Sequence, residues 1–145
     1  MNIVNLKNEL QKIIQDKGYA TWFGTKVSYN RKRTITNREV IIEPFILRFE
    51  PKSGCEYDTD LTIWVGIRRE ISAKFTTGEG DDFEFIQFML GEANDLFDAI
   101  AASDKMLIKI KKKDVNIRYY EADQAQTVNT QSFVRFTLPI RCYGL

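Results

Sequence analysis

The chain has no histidine, two cysteines and three prolines, and its 21 basic and 20 acidic residues leave a net charge of only +1. Without histidine, nucleophilic catalysis of the Ser–His or Cys–His type is excluded, because neither nucleophile would find its imidazole base. Cys55 and Cys142, far apart in sequence, supply neither a CxxC pair nor the converging ligands of a zinc site. Their spacing supports no disulfide framework, which predicts folding in a reducing compartment. A near-neutral chain has no global field to draw it to nucleic acid or a membrane, so polyanion binding would have to come from local clusters. No apolar run approaches the roughly 18 residues that cross a bilayer. The opening MNIVNLKNELQKIIQDKG is interrupted by Asn, Lys and Glu and has no signal-peptide form. Synthesis in the cytosol is therefore expected, with no membrane partner.

What is present describes one folded unit. A length of 145 residues suits a single domain, residues 1–145, and 43% apolar with 28% charged residues matches a globular chain. Ten Phe and six Tyr predict an aromatic core built on a sheet. Ile3, Leu6, Leu10 and Ile13/Ile14 recur at helical spacing, with Gly18 placed to stop the helix. A second helix is predicted in GDDFEFIQFMLGEANDLFDAIAAS, where Asp81 and Glu84 have the form of a capping box. Phe83, Ile86, Leu90, Ala93, Phe97 and Ile100 are expected on its inner face; Glu84, Glu92, Asp95 and Asp98 on the wet side. Gly91 weakens that helix by about 1 kcal/mol relative to Ala, which predicts a close neighbour there.

Elsewhere the period is two. Leu61, Ile63, Val65 and Ile67 alternate with Thr62, Trp64, Gly66 and Arg68, and Val134, Phe136, Leu138, Ile140 and Cys142 alternate with Arg135, Thr137, Pro139 and Arg141. Val40 to Phe49 reads as a strand pair or as one strand bent at Pro44. Met106 to Ile110 and Val115 to Tyr120 are shorter candidates, with KKKD between them as a turn, and Tyr19 to Tyr29 is a weaker one. Asn30 to Glu39, Pro51 to Asp60 and Glu121 to Gln131 read as loops. The pattern predicts an α+β domain: a mainly antiparallel sheet with two helices packed on one face. Cys142 is expected as a buried apolar residue and Cys55 as a loop thiol.

Chemistry-bearing motifs are few. Asp58 and Asp60 in EYDTD lack the glycine and terminal glutamate of a calcium loop. GEGDD precedes a helix, yet Glu79, Asp81 and Asp82 would repel phosphate, and no Gly-Lys-Ser/Thr follows. No base–nucleophile pair is visible, so the chain is read as non-enzymatic, with no cofactor and no metal; carboxylates such as Asp58, Asp60 or Glu79 are the weakest hypothesis. Two basic clusters, Arg31, Lys32, Arg33 with Arg38, and Lys109 with Lys111, Lys112 and Lys113, are either solvated turns or phosphate contacts without sequence readout. Trp22, Phe23, Trp64, Tyr119 and Tyr120 exceed what one sheet face hides. They imply either a surface for a protein partner or burial on both faces of the sheet.

NIVNLKNELQKII at the start, the helix around EFIQFMLGEANDLFDAI, and FVRFTLPIRCY after EADQAQTVNTQ resemble the tail terminator and tail-completion proteins of long-tailed bacteriophages and related neck-ring proteins. The resemblance covers most of the chain and is one of architecture, with no catalytic motif. It implies a virion protein assembled in the host cytoplasm as a homo-oligomeric ring, a hexamer or dodecamer, that meets other neck or tail proteins while DNA passes through the lumen. Trp64, Arg68, Tyr119, Arg135 and Arg141 are then the candidate subunit interface. Arg31, Lys32, Arg33, Lys111, Lys112 and Lys113 are candidate lumen residues by charge alone, for non-specific DNA contact at most. The alternative is a non-catalytic binding module, of adaptor or immunity type, acting on a heterologous partner.

Overall fold

The closing alternation and the two helical stripes become the frame of the molecule. The computed structural model describes residues 2–32, 38–50, 56–68, 80–105, 107–108, 117–121 and 131–143. Along the chain run α1 (Ile3–Asp16), β1 (Ala20–Phe23), α2 (Lys26–Lys32), β2 (Arg38–Glu50), β3 (Glu56–Arg68), α3 (Asp82–Ala101), β4 (Leu107–Ile108), β5 (Arg118–Glu121) and β6 (Gln131–Tyr143). One sheet has the order β1-β2-β3-β6-β4, with β5 also pairing β6. Among the described strands β1 and β2 are parallel and the other pairs are antiparallel. The fold is α+β, as expected.

α1 is bounded by chemistry that its sequence spells out. The Asn2 side chain accepts from the backbone N–H of Asn5 at 2.9 Å, replacing a bond that the first turn lacks. At the other end Gly18 N–H donates to Gln15 C=O (2.9 Å) and Tyr19 N–H to Ile14 C=O (3.3 Å). That paired closure needs a left-handed residue, and Gly18 has φ +87°. Leu6, Leu10 and Ile14 face inward and are buried.

Beneath α1 and α3 lies the main core, formed by Val40 and Ile42 of β2, Leu61, Ile63, Val65 and Ile67 of β3, and Val134, Phe136, Leu138 and Ile140 of β6. The register aligns them in rows across the sheet: Val40, Val65, Val134, then Ile42, Ile63, Phe136. Phe136 is fully buried and meets Phe97 edge to face at 6.0 Å between ring centres.

β2 is one strand, and its irregularity falls between Ile46 and Arg48 rather than at Pro44. Ile42 C=O accepts from Gly24 N–H at 3.0 Å, so this phase of β2 directs its backbone groups toward β1. Pro44, two residues on, points the same way, past the last β1 position at Phe23. No described strand there requires an N–H, so the missing donor costs no ladder bond.

Four expectations are corrected. The stretch from Tyr19 to Tyr29 is not one strand, because β1 ends at Phe23 and α2 begins at Lys26. Parallel strands need a crossover, and α2 makes it over the sheet face opposite α1 and α3. The two predicted helices do share one face, and a third covers part of the other. The expected loops shrink, since α2 extends to Lys32, β2 starts at Arg38, and Asp58 and Asp60 lie in β3. α3 is rotated from its expected phase: Phe85, Met89, Ala93, Leu96, Phe97 and Ile100 are buried, Ile86 and Leu90 are half-buried, and Phe83 is 84% exposed. In FEFIQFML two apolar faces compete, and the sheet selects the Phe85/Met89 face. Gly91, finally, has no close neighbour, since an added Cβ would meet nothing within 4 Å. The region from Met106 to Tyr120 contributes only β4, Ile117 and the start of β5 to the described residues. Cys55, Glu79, the loop Glu121 to Gln131 beyond its strand ends, and Lys109 lie outside them; so does the side chain of Cys142.

Two stability outcomes follow from this packing. Phe136→Ala should lower unfolding free energy by about 3–5 kcal/mol, read as a loss of the denaturant midpoint. Gly91→Ala should raise it by about 1 kcal/mol, because a helix-interior glycine with open space gives up only backbone freedom. A midpoint unchanged or lowered in Gly91→Ala would contradict the open site.

Candidate interaction surface

The sheet face away from α1 and α3 is where three of the five predicted interface residues converge. One row crosses it as Trp22, Ile41, Trp64 and Arg135, and the next as Glu43, Thr62 and Thr137. α2 lies over the β2 side of this face, from Glu43 at its start to Glu39 beside Tyr29, and leaves Thr62 half-buried and Thr137 exposed.

A seven-residue helix is too short to persist alone, so its contacts hold it. Thr25 Oγ1 accepts from Ser28 N–H at 3.0 Å, and the Glu43 carboxylate accepts from Lys26 N–H. The helix is therefore capped once from its own sequence and once from the sheet. Tyr29 is its anchor. The ring is fully buried, stands edge-on to Trp22 at 5.6 Å, and its hydroxyl donates to Glu39 Oε2 at 2.6 Å. Glu39 is itself only 4% exposed, and a hydrogen bond to a buried carboxylate is among the stronger ones. Tyr29, Ile41 and Phe133 form a second, smaller core, with Trp22 and Trp64 against it.

Lys26 closes this cluster with a cation. Its Nζ lies 4.0 Å from the Phe133 ring centre, 5.4 Å from Trp64 and 6.0 Å from Tyr29, within the range of cation–π attraction. Arg135 approaches the same Trp64 ring at 5.2 Å. Trp64 thus serves two cations, one from α2 and one from β6.

Beyond α2 the face is polar and half open. The Thr62 and Thr137 hydroxyls are 3.4 Å apart. Arg141 Nε donates to Asp58 Oδ1 at 3.1 Å, across directly paired strand positions. Trp64, Arg135, Arg141, Asp58, Asp60, Thr62 and Pro139 are half-buried, and Thr137 is exposed. Asp58 therefore has a cross-strand partner instead of a place in a calcium loop. Among the described residues no three His, Cys, Asp or Glu side chains converge as a metal site would require.

Of the five interface candidates, Trp64, Arg135 and Arg141 come together on this face. Arg68 ends β3, paired with Gln131. Tyr119 pairs with Val134, a position of the helix-side stripe, and it is Arg118 that pairs with Arg135. Among the lumen candidates, Arg31 and Lys32 occupy the last turn of α2; Arg33 and Lys111 to Lys113 lie outside the described residues. Of the two explanations of the aromatic excess, burial on both faces is realised in part, since Tyr29 and Phe133 are buried on the second face; Trp64 and Arg135 are half-buried beside them. Sequence reasoning did not single out Lys26, Tyr29, Glu39, Glu43 or Phe133. Phe133, an aromatic on the polar phase of β6, was the available signal for a second covered face.

A separate polar knot ties the helical layer to the sheet. Tyr19 OH donates to Glu92 Oε2, and Arg38 NH2 meets the same oxygen at 2.5 Å. The Arg38 guanidinium also lies 4.8 Å from the Tyr19 ring centre. Glu92, expected on the wet side of α3, instead joins the end of α1 to the start of β2.

Comparison with known proteins adds no identity: no family model matches the chain, and no curated protein matches it. No described helix is long and apolar enough to cross a membrane.

The Tyr19 knot has a pH signature. Burial first, and then the bond to Glu92, raise the Tyr19 phenol well above its ordinary value, which is near 10. Below about pH 10 both folded and unfolded chains hold this proton, so the contribution is whole there. As pH rises further the unfolded chain ionises first, and stability falls. The denaturant midpoint should therefore drop more steeply above pH 10 in the parent chain than in Tyr19→Phe. Parallel pH profiles would contradict the assignment.

Proposed function

We propose that the chain is a structural subunit of a bacteriophage ring, of the tail terminator or neck type, and that the β3/β6 face is a contact surface of the assembly. The observation that carries this is the half-open patch of three cross-strand pairs, Trp64 with Arg135, Thr62 with Thr137 and Asp58 with Arg141, on a face that α2 leaves partly uncovered. Such a surface combines an indole, guanidinium groups and satisfied polar pairs, the composition enriched at protein interfaces. Its charges balance locally, as in Asp58 with Arg141, which suits a protein partner better than a polyanion.

The three-element likeness at α1, α3 and β6 supports the same reading, because these elements build the frame: two helices on one face of a sheet that the last strand closes. A near-neutral net charge fits a ring through which DNA must slide without being gripped. Arg31 and Lys32 stand in the last turn of α2, and by charge alone they are candidates for loose phosphate contact.

The test is assembly of the full chain, followed by light scattering and negative-stain electron microscopy. A closed ring of about six or more copies built on heterologous contacts is expected. Arg135→Ala and Arg141→Ala should keep the thermal midpoint within a few degrees, because a partly solvated cation–π contact and a partly solvated ion pair each contribute about 0–1 kcal/mol, and should impair assembly. A strict monomer at every concentration, alone and with neighbouring tail proteins, would sink the ring reading and favour a binding module for a heterologous partner.

A further inference from the structure

Two features at opposite ends of the helical layer match one another in size, polarity and charge. One is a cavity of ≈160 Å3 between the N-terminal half of α1 and the margin of the sheet, lined by Leu6, Leu10, Phe23, Ile42 and Leu61. Val4, which is 61% exposed, and Lys7 also border it. Among the described lining residues Lys7 is the one charged side chain, and its Nζ stands 5.0 Å from the Phe23 ring centre. An aliphatic cavity of about 150 Å3 is large enough to take a benzene ring.

The other feature is Phe83. It is 84% exposed in the first turn of α3, following the cap Asp81 and flanked by Asp82 and Glu84. All three acids are exposed. A phenyl ring set among carboxylates therefore projects from one end of the layer, and an apolar cavity bordered by an ammonium opens at the other.

The chain cannot close this pair within itself. Ser103, just past α3, donates to Glu9 at 3.1 Å, whereas Glu92, in the middle of α3, meets Tyr19 beyond the end of α1. α3 thus runs back along α1, and its first turn projects past the C-terminal end of α1. At 1.5 Å per residue that turn lies roughly 25–30 Å from the last one, while the cavity sits against the N-terminal half of α1. A second copy has no such restriction.

We propose that Phe83 of one copy seats in the α1–sheet cavity of the next, with Lys7 facing the neighbouring Asp82 and Glu84, so that copies join head to tail. Knob and hole are different patches of one surface, so the contact is heterologous and propagates until it closes into a ring. Closure rests on the ring reading above; the contact itself rests on the cavity and on Phe83.

Sedimentation velocity over a concentration series, with thermal melts as the folding control, tests it with two single variants. Phe83→Ala removes the knob, and Val4→Trp fills the mouth of the cavity; both positions are largely exposed, so both chains should fold. The parent should assemble, and each variant alone should be monomeric with an unchanged midpoint. Mixed, the two variants restore one intact contact, because the first keeps its cavity and the second its Phe83. The mixture should give a heterodimer and nothing larger. Lys7→Glu should weaken assembly at least tenfold at low salt. If the parent assembles and both variants assemble equally well, the Phe83 contact is overturned and the ring reading stands. If the variants are monomeric but their mixture gives no heterodimer, the head-to-tail contact is overturned. A parent that stays monomeric at the highest attainable concentration overturns the Phe83 contact; the ring reading falls only if it also stays monomeric with neighbouring tail proteins.

Discussion

The antiparallel register between β3 and β6 fixes which residues the rest of the molecule can use. Over thirteen paired positions from Glu56↔Tyr143 to Arg68↔Gln131, Leu61, Ile63 and Val65 face the same side as Leu138, Phe136 and Val134. A slip of β6 by one residue against β3 would turn Val134, Phe136 and Leu138 outward and carry Arg135 and Thr137 into the core. Such a slip is strongly disfavoured, because the helix-side stripe is buried and the opposite stripe carries guanidinium and carboxylate groups. The same constraint creates the interaction surface. Once the apolar stripe is committed to α1 and α3, every second residue of the two longest-paired strands must appear on the far side.

What becomes of that far side depends on how little of it α2 covers. The crossover between parallel β1 and β2 has to pass over the free face, yet the helix it forms has only seven residues. It cannot stabilise itself by length, so it is fastened at points: Tyr29 to Glu39, Lys26 N–H to Glu43, and the Lys26 ammonium to the rings of Phe133 and Trp64. Polar anchors of this kind have a definite geometry, whereas an apolar stripe could slide. They also confine coverage to the β2 side, which leaves Thr62, Thr137, Asp58 and Arg141 accessible. A longer, more apolar crossover helix would have buried this face and removed the surface.

This division explains which parts were legible in the sequence. β6 could be read because Val134 to Cys142 alternate without interruption, and α1 because its stripe, cap and terminal glycine agree. The stripe Trp64, Arg135, Arg141 was legible for the same reason: it is the complement of a legible core. α2 was not, since KVSYNRK has no apolar period and its formation depends on residues ten or more positions away, as Tyr29 on Glu39 and Phe133. The phase of α3 was ambiguous because its first half carries aromatic residues on both faces, and only the sheet beneath decides between them. Asp58 and Asp60 looked like loop residues because carboxylates are rare in strands. The partner that makes Asp58 tolerable, Arg141, lies 83 positions away.

On the ring reading, two surfaces with different characters carry different work. The β3/β6 face is nearly level in charge, with its cations stacked on an indole or paired with carboxylates, so it has little long-range field and its recognition is by close fit. The ends of the helical layer are the reverse: three acidic side chains surround one apolar knob, and one lysine borders an apolar hole. Opposed charges there orient approaching copies before contact and disfavour knob-to-knob encounters, where carboxylate would face carboxylate. The acidic first turn of α3 also interacts favourably with the amino end of its own helix, so the charges that stabilise the isolated subunit are the ones that give its neighbour a direction. A chain with net charge near zero can therefore assemble with polarity, because the polarity resides in the separation of Lys7 from Asp82 and Glu84 along the layer and not in the total.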